Sequence, residues 1–85
     1  MYSYKTHGTC SQQILFDVVD NKLRNVQFIS GCHGNTQGVA ALVEGMDVDE
    51  VVRRLKGIDC HGKGTSCPDQ LATALLQYKE GILTA

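Results

Sequence analysis

The stretch Ile14-Leu15-Phe16-Asp17-Val18-Val19-Asp20-Asn21-Lys22-Leu23-Arg24-Asn25-Val26-Gln27-Phe28-Ile29 decides the fold. Ile14, Phe16 and Val18 alternate with Leu15, Asp17 and Val19, and beyond Asp20-Asn21-Lys22 the alternation resumes with Val26 and Phe28 set against Asn25, Gln27 and Ile29. Successive side chains of a strand point to opposite faces, so this period marks two half-buried strands, and the intervening polar residues favour a turn. The segment predicts a β-hairpin. Upstream, Tyr2 and Tyr4 alternating with Ser3 and Lys5 predict a short third strand, connected through Gly8-Thr9-Cys10.

Downstream, from Gly34, the period becomes helical. Val39, Leu42, Val43 and Met46 fall at i, i+3, i+4 and i+7, and Val48, Val51, Val52 and Leu55 repeat the pattern. Gly45 is suited to the residue just past a helix end. Asp47 with Glu50 three positions on forms a capping-box pattern, flanked by Met46 and Val51 at staple positions. After the glycine-rich run from Gly57 to Gly64, a last helix opens at Cys67-Pro68, with Leu71, Leu75 and Tyr78 on one face and Gly81 near its end. Because proline disfavours helical geometry in the residue before it, Cys67 is placed as the N-cap and Pro68 at the first helical position. Three strands followed by three helices imply an α+β fold, an antiparallel sheet covered on one face.

Eighty-five residues are expected to form one domain, 1–85, with a core small enough that a metal site would add usefully to its stability. The polar start, Met1 to His7, lacks the apolar stretch of a secretory signal, and no membrane-length apolar run occurs, so a cytoplasmic, non-membrane protein is expected. A formal net charge of −1 from eight basic and nine acidic residues offers no footprint for nucleic acid. Arg53, Arg54 and Lys56 read as the solvated face of a helix.

Cys10, Cys32, Cys60 and Cys67 lie beside glycine, serine, proline or histidine and not within apolar runs, the setting of ligands on loops more than of core residues. Their spacings of 22, 28 and 7 include no C-x-x-C pair, so a zinc ribbon or finger is not the template; the ligands would come singly from loops gathered at one end of the sheet. Cys32 before the first helix and Cys67 at the last would each face unpaired N–H groups, a setting that favours thiolate. Four thiolates suit a tetrahedral Zn²⁺ or an iron-sulfur cluster. Exchange-active thiols are the competing chemistry, and inert packing the plainest. His33 and His61 each follow a cysteine and could substitute as fourth ligand or support one from outside, although loop histidines in water explain them too. Asp59 and Asp69 could bind metal or a ligand's hydrogen, and Asp69 also reads as a first-turn helix acid. The glycine-rich runs match no phosphate-binding fingerprint.

Thr65-Ser66-Cys67-Pro68-Asp69 spells the motif of the TSCPD domain family, and Gly8-Thr9-Cys10-Ser11, Gly31-Cys32-His33-Gly34-Asn35, Leu42-Val43-Glu44-Gly45-Met46 and Arg54-Leu55-Lys56-Gly57-Ile58 also resemble its small stand-alone members. Related segments close the C-terminal end of adenosylcobalamin-dependent ribonucleotide reductases. The resemblance therefore implies ribonucleotide reductase as a partner, with this chain an accessory module, since nucleotide reduction needs a barrel and cobalamin site that 85 residues do not hold. More remotely, the layout is similar to NifU/IscU-type iron-sulfur scaffold proteins and their zinc-binding relatives, with Cys10, Cys32 and Cys67 at matching ligand positions. That likeness implies a cluster scaffold or a sulfur or electron carrier, and a sulfur-transfer protein as partner. Ser11-Gln12 replaces that family's Gly-Asp and Cys60 is additional, both of which point to a closed site of four thiolates.

Overall fold

The computed structural model describes residues 1–8, 11–30, 33–59, 62 and 64–83, with the backbone alone for 33–35. Strands β1 (Tyr2–Lys5), β2 (Gln13–Val19) and β3 (Lys22–Ile29) precede helices α1 (His33–Val43), α2 (Val48–Leu55) and α3 (Cys67–Lys79). The strands lie in sequence order in one antiparallel sheet. This is the α+β arrangement expected from the change of period at Gly34.

Asp20 and Asn21 both take positive φ, 53° and 61°, the backbone that lets a two-residue turn match the twist of the strands it joins. Past the turn the register carries an irregularity. Leu15 pairs with Gln27 but Asp17 pairs with Arg24, so Phe16 faces two residues of β3, Asn25 and Val26. Asn25 sits at φ 55°, its N–H bound by Glu44 Oε1 at 2.9 Å. The bulge changes the parity of β3, so that Leu23 (0% exposed) and Val26 (7%) both face the core. Simple alternation missed Leu23 for this reason.

The core gathers Tyr4, Ile14, Phe16, Leu23 and Val26 of the sheet against Val43, Val48, Val51, Leu71, Ala74 and Leu75 of the helices. Tyr78 closes it from α3, its ring edge-on to Tyr2 at 4.9 Å, while Tyr2 stacks on Phe16 at 5.3 Å. On α1, Val43 is buried and Val39 partly so, but Leu42 is 79% exposed, against the expectation that it shares their face. Thr36, Val39 or Ala40, and Val43 already fill the inward stripe at helical spacing, which leaves Leu42 outside it.

At the hairpin end, the break between α1 and α2 is sewn to the sheet. Gly45, at φ 78°, donates its N–H to Leu23 O at 2.7 Å, Leu23 N donates to Met46 O at 2.8 Å, and Val48 N to Asn21 O at 2.9 Å. Asp47 caps α2, accepting from Asp49 N at 3.1 Å. The reciprocal half of the expected capping box is replaced, because Glu50 turns to Arg53 and Arg54 one turn on. Those two guanidinium groups hold its carboxyl down to about 2.

Candidate metal centre

The opposite end of the sheet is where the chain departs toward Cys10 and Cys32. Lys5 pairs with Gln13 and Gln13 with Ile29, so the connection bearing Cys10 and the exit toward Cys32 leave one row of the sheet. Gln12 N donates to Ile29 O at 2.8 Å, fastening them together. Ser30 turns the chain out of β3 at φ 64°. The start of α3 lies against the same row: His7 N donates to Gln70 Oε1 at 3.0 Å, and the Ser11 hydroxyl lies 3.0 Å from the Cys67 sulfur. Gly8 passes so close to Thr65 that a Cβ would stand 3.1 Å from its methyl, at a φ of 74° that itself favours glycine. The connection from α2 to α3, which bears Cys60, joins here as well, for Ser66 Oγ donates to Ile58 O at 2.6 Å and Gly57 N donates to Asp69 Oδ1 at 2.7 Å.

Every residue of Thr65-Ser66-Cys67-Pro68-Asp69-Gln70 has a part in this junction. Ser66, not Cys67, is the N-cap of α3: it has extended backbone at φ −155° and ψ 170°, and its Oγ accepts from Asp69 N at 3.1 Å. A hydroxyl oxygen is a stronger acceptor than sulfur, so the serine takes the capping place. Cys67 becomes the first helical residue, and Pro68 follows where a missing N–H costs nothing. Asp69, 4% exposed, accepts from Gly57 N, from Lys56 Nζ at 3.1 Å and from Thr65 Oγ1 at 2.7 Å. Burial pushes its carboxyl up, but the donors of Gly57, Thr65 and Lys56 outweigh that and hold it below the ordinary aspartate value. Thr65 Oγ1 in turn accepts from Gln70 Nε2 at 3.0 Å. The motif fastens two connections, β1–β2 and α2–α3, to one helix start.

Asp69 thus does more than the first-turn acid its position suggests. Lys56, expected on a solvated face with Arg53 and Arg54, pairs with it across the α2–α3 connection. Asp59 accepts from Gly62 N at 2.8 Å and Gly64 N at 2.5 Å, drawing together the two ends of the short run that includes Cys60 and His61. Cys67 is half-buried. Cys10, Cys32, Cys60 and His61 lie outside the described residues, as does the side chain of His33. Among the described residues no three His, Cys, Asp or Glu side chains form a group that could hold a metal ion. Sequence reasoning missed Ser11, Ser66 and Gln70; the Ser-x-x-Asp spacing of Ser66 and Asp69 is a local cap signal, whereas Ser11 and Gln70 act across distant stretches of chain.

The fold and this junction define a small α+β protein whose cysteine-bearing connections start and finish at one end of its sheet. The chain belongs to the TSCPD domain family, which it matches over residues 2–79. No curated protein and no solved structure matches it. Among the described residues, no helix is long and apolar enough to cross a membrane.

Proposed function

We propose that the protein is a metal-binding accessory module, holding one Zn²⁺ through Cys10, Cys32, Cys60 and Cys67 and acting by binding and not by catalysis. The observation that carries this reading is the 3.0 Å approach of Ser11, the neighbour of Cys10, to the sulfur of Cys67. Residues 56 positions apart in the chain, each at or beside a cysteine, meet at the end of the sheet from which the Cys32 connection also leaves and onto which the Cys60 connection is fastened. The donor set fits the ion: thiolates from three separate connections and one helix start match a tetrahedral centre, and four of them leave no open position for a substrate. When bound, the metal would cross-link three connections and the start of α3 and stabilise the fold.

Elemental analysis and an absorption spectrum of anaerobically purified protein test this. About one zinc per chain with no visible absorbance is the expected result. Iron with sulfide and a visible charge-transfer band would replace it with a cluster scaffold or a sulfur or electron carrier on the same cysteines, and no metal would overturn it. The family's association with adenosylcobalamin-dependent ribonucleotide reductase makes that enzyme the first partner to test, by co-purification with the loaded module.

A further inference from the structure

Ser11 is 3% exposed, and its place is set by the sheet end around it. The Thr6 hydroxyl donates to its carbonyl, Thr6 N donates to Gln12 O at 3.2 Å, and Gln12 N is bound to Ile29 O at 2.8 Å. With its backbone held in this way, the hydroxyl oxygen lies 3.0 Å from the Cys67 sulfur. We infer that Ser11 is a positioning residue for the Cys67 ligand, its O–H donating to the sulfur and so fixing the sulfur's orientation and drawing charge from it. This rests on the metal-binding reading above. The direction of the bond follows from chemistry: in a neutral pair either group can donate, but a metal-bound thiolate carries no proton, which leaves the hydroxyl as the donor. Hydrogen bonds from outside the ligand set orient the ligands and tune the metal they hold. Because Ser11 follows Cys10 in the chain, the same bond also ties the Cys10 connection to the start of α3.

The test uses the full chain with Co²⁺ as a spectroscopic probe in wild type, Ser11→Ala and Ser11→Thr. A hydrogen bond lowers the energy of the sulfur lone pairs. The sulfur-to-cobalt charge-transfer band of Ser11→Ala should therefore move to longer wavelength, while Ser11→Thr, which keeps the hydroxyl, stays near wild type. Competition with a chromophoric chelator should show Zn²⁺ held roughly 10–100-fold more weakly by Ser11→Ala. Filling space alone would not move the band, so an unchanged band and affinity in Ser11→Ala overturn the inference and leave the metal reading standing. Wild-type protein that takes up neither Co²⁺ nor Zn²⁺ overturns both. A measurement on wild type is independent of how well the variants fold: with spin-active cadmium bound, the Ser11 hydroxyl proton should exchange slowly and couple to the metal. A rapidly exchanging, uncoupled proton overturns the inference.

Discussion

Gly57 donates its backbone N–H to the carboxylate of Asp69 at 2.7 Å, joining the connection that carries Cys60 to the first turn of α3. The same carboxylate gathers Lys56 and Thr65, so one buried acid organises the approach to Cys67 from two directions. In chemical terms the aspartate of the motif serves as a fastening, satisfied by protein donors. The cysteine beside it can then be presented on a rigid helix start, the kind of support that a ligand site requires.

Asp69→Asn should destabilise the protein by about 2 kcal/mol at neutral pH, the usual cost of losing charge-assisted bonds at a buried acceptor. The pH dependence follows from the lowered carboxyl value. A carboxylate with a folded value below its unfolded one contributes stability that is complete above about pH 4 and is lost as pH falls through the folded value. The difference in melting temperature between wild type and Asp69→Asn should therefore shrink from pH 7 to about pH 3. A gap that stays constant with pH would show that the charge of Asp69 is not what stabilises this end.

Leu23→Ala should cost about 2–5 kcal/mol, because its side chain is fully buried at a position where neighbours on both sheet and helix would line the void. Leu42→Ala, on a residue 79% exposed, should change stability by no more than about 0.5 kcal/mol. Denaturant titrations of the two variants decide the matter; a large loss at Leu42 would mean that α1 presents a different face to the core.

These two leucines mark the boundary of what the chain discloses by itself. The hairpin, the helical periods, and the Gly45–Asp47 break are local patterns, each set by residues within one turn or one strand of each other, and they were legible. Leu23 was hidden because the bulge at Asn25 shifts the alternation of β3 by one residue. Leu42 misled because an apolar residue at i+3 is indistinguishable in sequence from one at i+4 until the packing of Thr36, Val39 and Val43 chooses the stripe. The cap at Ser66 differs by one residue from the expected Cys67, a choice decided by hydroxyl against thiol as acceptor. The contacts of Ser11 with Cys67 and of His7 with Gln70 join residues more than fifty positions apart, and no spacing rule reaches them.

Ser66→Ala should destabilise by about 1–2 kcal/mol, since it removes the cap on Asp69 N and the bond to Ile58 O together. In metal-free protein Cys67→Ala should cost less, because its sulfur makes no cap. Thermal melts of both variants in the presence of a chelator give the comparison. Equal or greater loss at Cys67 would restore the cysteine as the capping residue.

On the proposed zinc reading, removing the metal should lower the melting temperature, and by an amount that depends on free metal. At free Zn²⁺ one hundred times the dissociation constant the linkage is worth about 2.7 kcal/mol. For a domain of this size that is on the order of 10 °C or more. Cys67→Ser should lose most of that gain while leaving the metal-free melt close to wild type, since only the loaded state uses the thiolate. Alkylation followed by mass spectrometry separates a closed centre from a carrier: all four cysteines should be protected in the loaded protein and reactive after chelation. One cysteine that reacts as fast with metal as without would place a free thiol at the centre and favour transfer over storage. Equal protection in both states would tie the protection to burial in the fold, with no part for the metal.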